Sequence, residues 1–423
     1  MRISTHSRRR RAGMTILEVM FAIMITTIGL LGAISVFPVA SEYARKGRLN
    51  DEVTVCAESA AHTMDARSMR RPDRWIAYID NSPNPPAVFT GPQLVTLPRG
   101  GAWRGFQQTS YCIDPRFTAW NIPNTANYEW TYFPAFTRTA PGYADNNHPA
   151  FGGNPGVPRM QRITLANGAG SPMGRFQADY VFSFEDQLSY ERPGVQKGSI
   201  ARNDNALPAF QLYSPIRTAG GILPGKREED GKLSWIATLV PKFDRWNATL
   251  EDKYVLSIVV FYSRSPSLLV DLTGASGRVN EWTATIRAAD FHSSGFGGGE
   301  VTITADSAAK LQMRAGDWVM LSGHVLARDP ATGDRDTVPM HKWYKVTDAD
   351  EDPRPAVING SNCFQRDVTL VGPDWDLQDV LPFSGGFPKN PVAFDDDVEV
   401  TIVPGIVAVF DRTVRLEVDG TGF

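Results

Sequence analysis

The chain has 423 residues, too many for one small core, so two or three folding units are expected. Net charge is −3, yet residues 1–13 hold five arginines and no acid, which leaves −8 on the rest. A body that acidic is a poor nucleic-acid binder, and no nucleic acid is expected among its partners. With 30 prolines and 37 glycines the body should be rich in turns and strands.

Arg8 to Arg11 lead into an apolar run. From Val19 to Ala40 there are 22 residues without a charge. As a helix that is about 33 Å, enough to cross the hydrocarbon core. The preceding arginines place the N-terminus in the cytoplasm and export the body of the chain. A cleaved secretory signal would need small residues at its cut, and Pro38-Val39-Ala40 fits poorly. A plain signal anchor accounts for length and orientation but gives no reason for Glu18.

The stretch G-MTILEV-MFAIMITTIGLLG (13–32) resembles the type IV prepilin signal. Gly13 matches the residue before the scissile bond and Met14 the new N-terminus, where phenylalanine is commoner. Thr15, Ile16, Leu17, Glu18 and Val19 match in order. Within that class the continuation is most similar to minor pilins of the PilV type (pilus modification proteins), and pseudopilins share the motif. The resemblance covers residues 8 to about 48. It implies cleavage after Gly13 by a prepilin peptidase and N-methylation of Met14. It also implies export through an inner-membrane assembly platform and packing against other pilin or pseudopilin subunits. Glu18 would pair with the N-terminal amine of a neighbouring subunit. The alternative is that Glu18 simply lies at the membrane surface. A lone carboxylate in hydrocarbon is costly, so pairing would favour assembly and set the axial register.

The helix should run on to about residue 70, roughly 85 Å from Met14, kinked at Pro38 and ended near Pro72. Val39, Tyr43, Val53, Cys56, Ala60 and Met64 recur at mostly three- or four-residue steps, predicting an amphipathic second half that needs a partner surface. Residues 80–175 are rich in Pro, Gly, Asn and aromatics and read as ordered loops with short strands. ADYVFSFE (178–185), LSWIATLVPKF (233–243) and KYVLSIVVFYSR (253–264) read as strands, the last two as antiparallel neighbours in a central sheet.

Residues 276–375 predict a separate small all-β unit of barrel character, with a Gly-Asp-Trp turn at 316–318. DDVEVTIVP and GIVAVFDRTVRLEV should then return to the main sheet. The expected class is α+β. A leader covers 1–13, a long helix 14–75 with its membrane part at about 16–40, and a β head 76–275. An inserted barrel covers 276–375 and the C-terminal strands 376–423.

Catalytic constellations are missing. TGASG (273–277) lacks the spacing of a nucleophile elbow, and GFGGGE (295–300) has no Lys-Ser/Thr after it. The six histidines are scattered without metal-ligand spacing and read as surface or loop residues. Asp348, Asp350 and Asp352 alternate like a calcium loop, but Pro353 and Asn359 stand where glycine and glutamate are required. Asp395, Asp396 and Asp397 form a second acidic cluster, and both read as solvated turns. No cofactor, no metal and no enzymatic activity are expected. Three cysteines allow at most one internal bridge, with Cys112 and Cys363 as candidates against a background of buried free thiols.

Overall fold

A computed structural model describes residues 14–79, 87–90, 110–121, 132–135, 159–167, 170–184, 189–190, 216–218, 221–223, 227–228, 233–244, 249–264, 281–291, 297–328, 335–358, 361–375 and 398–417. Two compact units divide the chain, Met1–Val55 and Cys56–Phe423. One helix, Ile16–Ala66, runs through both.

In the first unit the helix is exposed all round from Ile16 to Arg48, and near the unit's end Val53 is buried. Ile16 is 83% and Phe37 75% exposed, and among the described residues nothing covers the apolar run. The helix continues through Pro38, whose ring leaves the Ile34 carbonyl without its usual donor. Beyond it, Val39 and Tyr43 are exposed too, contrary to the expected buried stripe. Ion pairs within the helix decorate this part: Arg45 forks onto Glu42 at 3.1 Å, and Arg48 reaches Glu52 at 3.4 Å. Such pairs, exposed to solvent and screened by salt, contribute little.

In the second unit the same helix buries Cys56, Ala57, Ala60 and Met64, the three- and four-residue spacing of one face. It ends earlier than predicted, at Ala66 rather than near 70. Met69 N–H donates to the Met64 carbonyl (2.9 Å) and Ser68 N–H to the Asp65 carbonyl (3.1 Å). Those two bonds make a Schellman turn, with Ser68 in the left-handed region (φ 53°) and Met64 and Met69 buried against solvent. Pro72 instead opens a short 3₁₀ turn, Pro72–Arg74.

The strands in chain order are β1 Trp75–Ile79, β2 Ala87–Thr90, β3 Tyr111–Ile113, β4 Tyr132–Phe133, β5 Met160–Leu165, β6 Ser189–Tyr190, β7 Ile216–Thr218, β8 Gly221–Leu223, β9 Arg227–Glu228, β10 Leu233–Asp244 and β11 Thr249–Tyr262. Then come β12 Trp282–Phe291, β13 Gly298–Ala305, β14 Trp318–Arg328, β15 Arg335–Ala349, β16 Arg354–Ile358, β17 Ser361–Val371, β18 Glu399–Ile402 and β19 Ile406–Val414. The main sheet has the order β19-β11-β10-β3-β5-β1-β2, with β4 added to β5. β10 and β11 are antiparallel neighbours from Leu233↔Tyr262 onward, as predicted. The sheet is mixed, because β3 and β5 run parallel. Their connection, from Asp114 to Arg159, contains the helix Pro115–Asn121 and is longer than the dozen or so residues a parallel crossover needs. ADYVFSFE is not a strand. Its first residues belong to a helix, Arg175–Phe182, which buries Ala178, Val181 and Phe182 at helical spacing. Phe182 stacks on Trp235 of β10 with ring centroids 4.4 Å apart.

The strands β12, β18, β14, β15, β17 and β13 pair in that order, and β13–β17 and β12–β13 close them into a barrel, with β16 hanging on β17. The predicted Gly-Asp-Trp turn is there: Gly316 takes φ +102°, and Asp317 Oδ2 accepts from Arg314 N–H at 2.7 Å. Only one of the two C-terminal pieces behaves as expected. β19 joins the main sheet beside β11, whereas β18 completes the barrel between β12 and β14. Gly405, at φ +87°, carries the chain from one sheet to the other. Its carbonyl accepts from Tyr262 N–H (2.7 Å), and a Cβ there would lie 2.8 Å from the Tyr262 carbonyl oxygen.

Barrel and sheet share a core. Met320 and Trp343 of the barrel pack with Cys112, Phe133, Ile236, Val259 and Phe261 of the sheet. Trp343 Nε1–H donates to Thr238 Oγ1 at 3.2 Å. Each large side chain fully buried here contributes roughly 1.5–3 kcal/mol.

Candidate functional site: the N-terminal segment and a buried charge cluster

Thr15 caps the long helix. Its hydroxyl accepts from Glu18 N–H at 3.3 Å, and its carbonyl accepts from the same group at 3.1 Å. Thr-x-x-Glu has the spacing of a capping box, in which the glutamate side chain would turn back to the cap residue. Here the cap uses only the main chain of Glu18. Among the described residues the Glu18 carboxylate makes no hydrogen bond or ion pair, and it is exposed. The helix thus leaves this charge without a partner among the described residues. Met14, two residues before the first helical turn, is 74% exposed. Gly13 lies outside the described residues. The long helix has a mean hydropathy of 2.3 over its most apolar 18 residues, apolar and long enough to cross a membrane.

A second constellation had no signal in the sequence. Asp114 comes just after β3, Arg162 sits on β5, Arg264 lies just beyond β11, and Glu281 precedes β12. All four are buried. Arg264 grips Asp114 with both Nη atoms, at 2.9 and 2.6 Å, and Arg162 closes on the same carboxylate. Glu281 accepts from Arg162 at 2.6 Å, from Arg264 at 3.3 Å and from Ala135 N–H at 2.9 Å. Arg162 also donates to the Tyr132 carbonyl. Two acids and two bases cancel, and most of their hydrogen-bonding groups are satisfied, which is what burial of charge requires. Burial alone would raise the Asp114 carboxyl, but the Arg264 and Arg162 guanidiniums outweigh it and lower it to about 2. Arg264 and Glu281 flank the chain's passage into the barrel, so the cluster fastens the barrel's entry strand to the main sheet.

The remaining sequence candidates fall apart. Cys56, Cys112 and Cys363 are all free thiols, as the background reading had it, and the candidate bridge between Cys112 and Cys363 is not formed. Cys112 is buried in the sheet core on β3, and Cys363 sits on β17 of the barrel, donating to the Ala356 carbonyl. Burial pushes the Cys56 thiol up to about 12. Asp348, Asp350 and Asp352 lie at or just beyond the end of β15, and no metal-binding group of side chains occurs among the described residues. Asp395 to Asp397 lie outside those residues. His341, expected at the surface, is instead buried on β15 with its Nδ1 2.8 Å from Ser322 Oγ.

Comparison with known proteins agrees with the N-terminal geometry. The prokaryotic N-terminal methylation motif matches residues 8–34. That match supports a type IV prepilin-like signal on an apolar helix, the features of a membrane-anchored, pilin-like or pseudopilin-like chain. No curated protein and no solved structure matches the chain.

Proposed function

We propose that this chain is a minor pilin or pseudopilin, a structural subunit and not a catalyst. The observation that carries the reading is Glu18, a carboxylate inside the methylation motif that its own helix leaves without a partner. A prepilin peptidase would cut after Gly13 and methylate Met14. The mature chain would wait in the cytoplasmic membrane, with its N-terminus on the cytoplasmic side, until an assembly platform extracts it. In the bilayer an unpaired carboxylate costs about 2.5–3.5 kcal/mol or more. A neighbour's Met14 ammonium beside Glu18 would cancel both charges, so each docking event is favoured in one axial register. The size of the region after residue 55 supports a place at the filament tip or in initiation, or a display role such as adhesion, because lateral crowding limits a repeating subunit. The PilV-type assignment rests on the run after Glu18.

Glu18→Gln separates this from a plain membrane anchor. The variant should still lose residues 1–13, because the cut lies before Met14. Its incorporation into sheared filaments should fall at least tenfold while the membrane pool stays level. Unchanged incorporation and function would leave Glu18 without its role and favour a membrane-anchored surface-binding protein that never enters a filament.

A further inference from the structure

Four arginines crowd RSMRRPDR, residues 67–74, in a chain whose body is acidic. Two are neutralised. Arg70 reaches Asp65 at 3.0 Å and Glu417 at 2.8 Å, and Arg71 reaches Asp73 at 3.1 Å. Arg67 and Arg74 are exposed and pair with no carboxylate among the described residues. These same two line one cleft of about 350 Å³. Its floor is apolar, made by Met69, Leu165 and Val181, all buried. Gln177, exposed on the helix Arg175–Phe182, also lines it, and no acid lines the cleft among the described residues.

The cleft is built on fixed backbone. Ser68 turns the chain in its left-handed conformation, and Trp75 Nε1–H donates to the Met69 carbonyl at 2.8 Å. Ala166 N–H donates to the Arg74 carbonyl, also at 2.8 Å. Both arginines therefore stem from anchored positions. Guanidinium forks match planar carboxylates, and charge-assisted bonds of this kind strengthen beside apolar surface.

We propose that this cleft receives an acidic segment of a partner protein. One Asp or Glu carboxylate would lie between Arg67 and Arg74, and a neighbouring apolar side chain would lie on the Met69–Leu165–Val181 floor. The two unneutralised cations and the apolar floor side by side select an acidic residue next to an apolar one. The inference goes beyond the filament reading and does not depend on Glu18.

The test places p-benzoylphenylalanine at Gln177 of the full chain, in its native membranes, and maps photo-adducts by mass spectrometry. Adducts should fall on one protein segment, within a few residues of an Asp or Glu. They should drop at least tenfold in Arg67→Gln/Arg74→Gln and return in part in Arg67→Lys/Arg74→Lys. Neither arginine holds an ion pair among the described residues, so the thermal midpoint of these variants should not move. Adducts on lipid, adducts indifferent to the arginine changes, or a yield no higher than at an exposed control position would each overturn the proposal.

Discussion

Asp114 accepts from two guanidiniums in a site closed to water. Asp114→Asn would leave Arg162 and Arg264 with one carboxylate between them, so a loss of about 3–5 kcal/mol is expected in denaturant unfolding. The acid dependence has a definite sign. The folded carboxyl is lowered to about 2, below its ordinary range near 3.9. Its contribution is therefore present above pH ~4 and is lost as pH falls towards 2, on the order of 2 kcal/mol. Wild type should lose that increment between pH 5 and 2 and Asp114→Asn should not; parallel curves would remove the cluster's role. None of this was legible in the sequence. The partners of Asp114 are 48 and 150 residues away, and an isolated Asp, Glu or Arg gives no sign of its burial. Glu18 was legible because its motif is local: cut site, cap and carboxylate lie within six residues.

Elements were readable where periodicity is strong and misread where the partner decides. β10, β11 and most barrel strands follow from their β-branched and aromatic runs. Tyr180, Val181 and Phe182 have the same propensity yet sit in a helix, because burial falls on Ala178, Val181 and Phe182 at three- and four-residue steps. β18 alternates as a strand of either sheet would, and only its pairing with β12 and β14 assigns it to the barrel. The helix end illustrates a local rule that Pro72 obscured. Ser68 takes the left-handed turn that glycine usually fills. Ser68→Gly should therefore raise stability by about 0.5–1 kcal/mol, read as a higher thermal midpoint. A lower midpoint would show that the serine side chain contributes more than its backbone strain costs.

At the scale of the whole molecule two surfaces ask for different company. The helix up to Val39 presents apolar side chains all round, which suits lipid or neighbouring helices and not water. The unit from Cys56 onward has its own core, shared by a mixed sheet and a closed barrel. A helix long and apolar enough to cross a bilayer, a methylation motif and an exposed Glu18 on one chain are what the proposed processing at Gly13 and later assembly would require. The most direct test is the N-terminal mass of the full-length gene product isolated from its native membrane. The account predicts a chain that begins at N-methylated Met14. A chain that keeps residues 1–13, or one that begins near Ser41, would contradict it and take the assembly role of Glu18 with it.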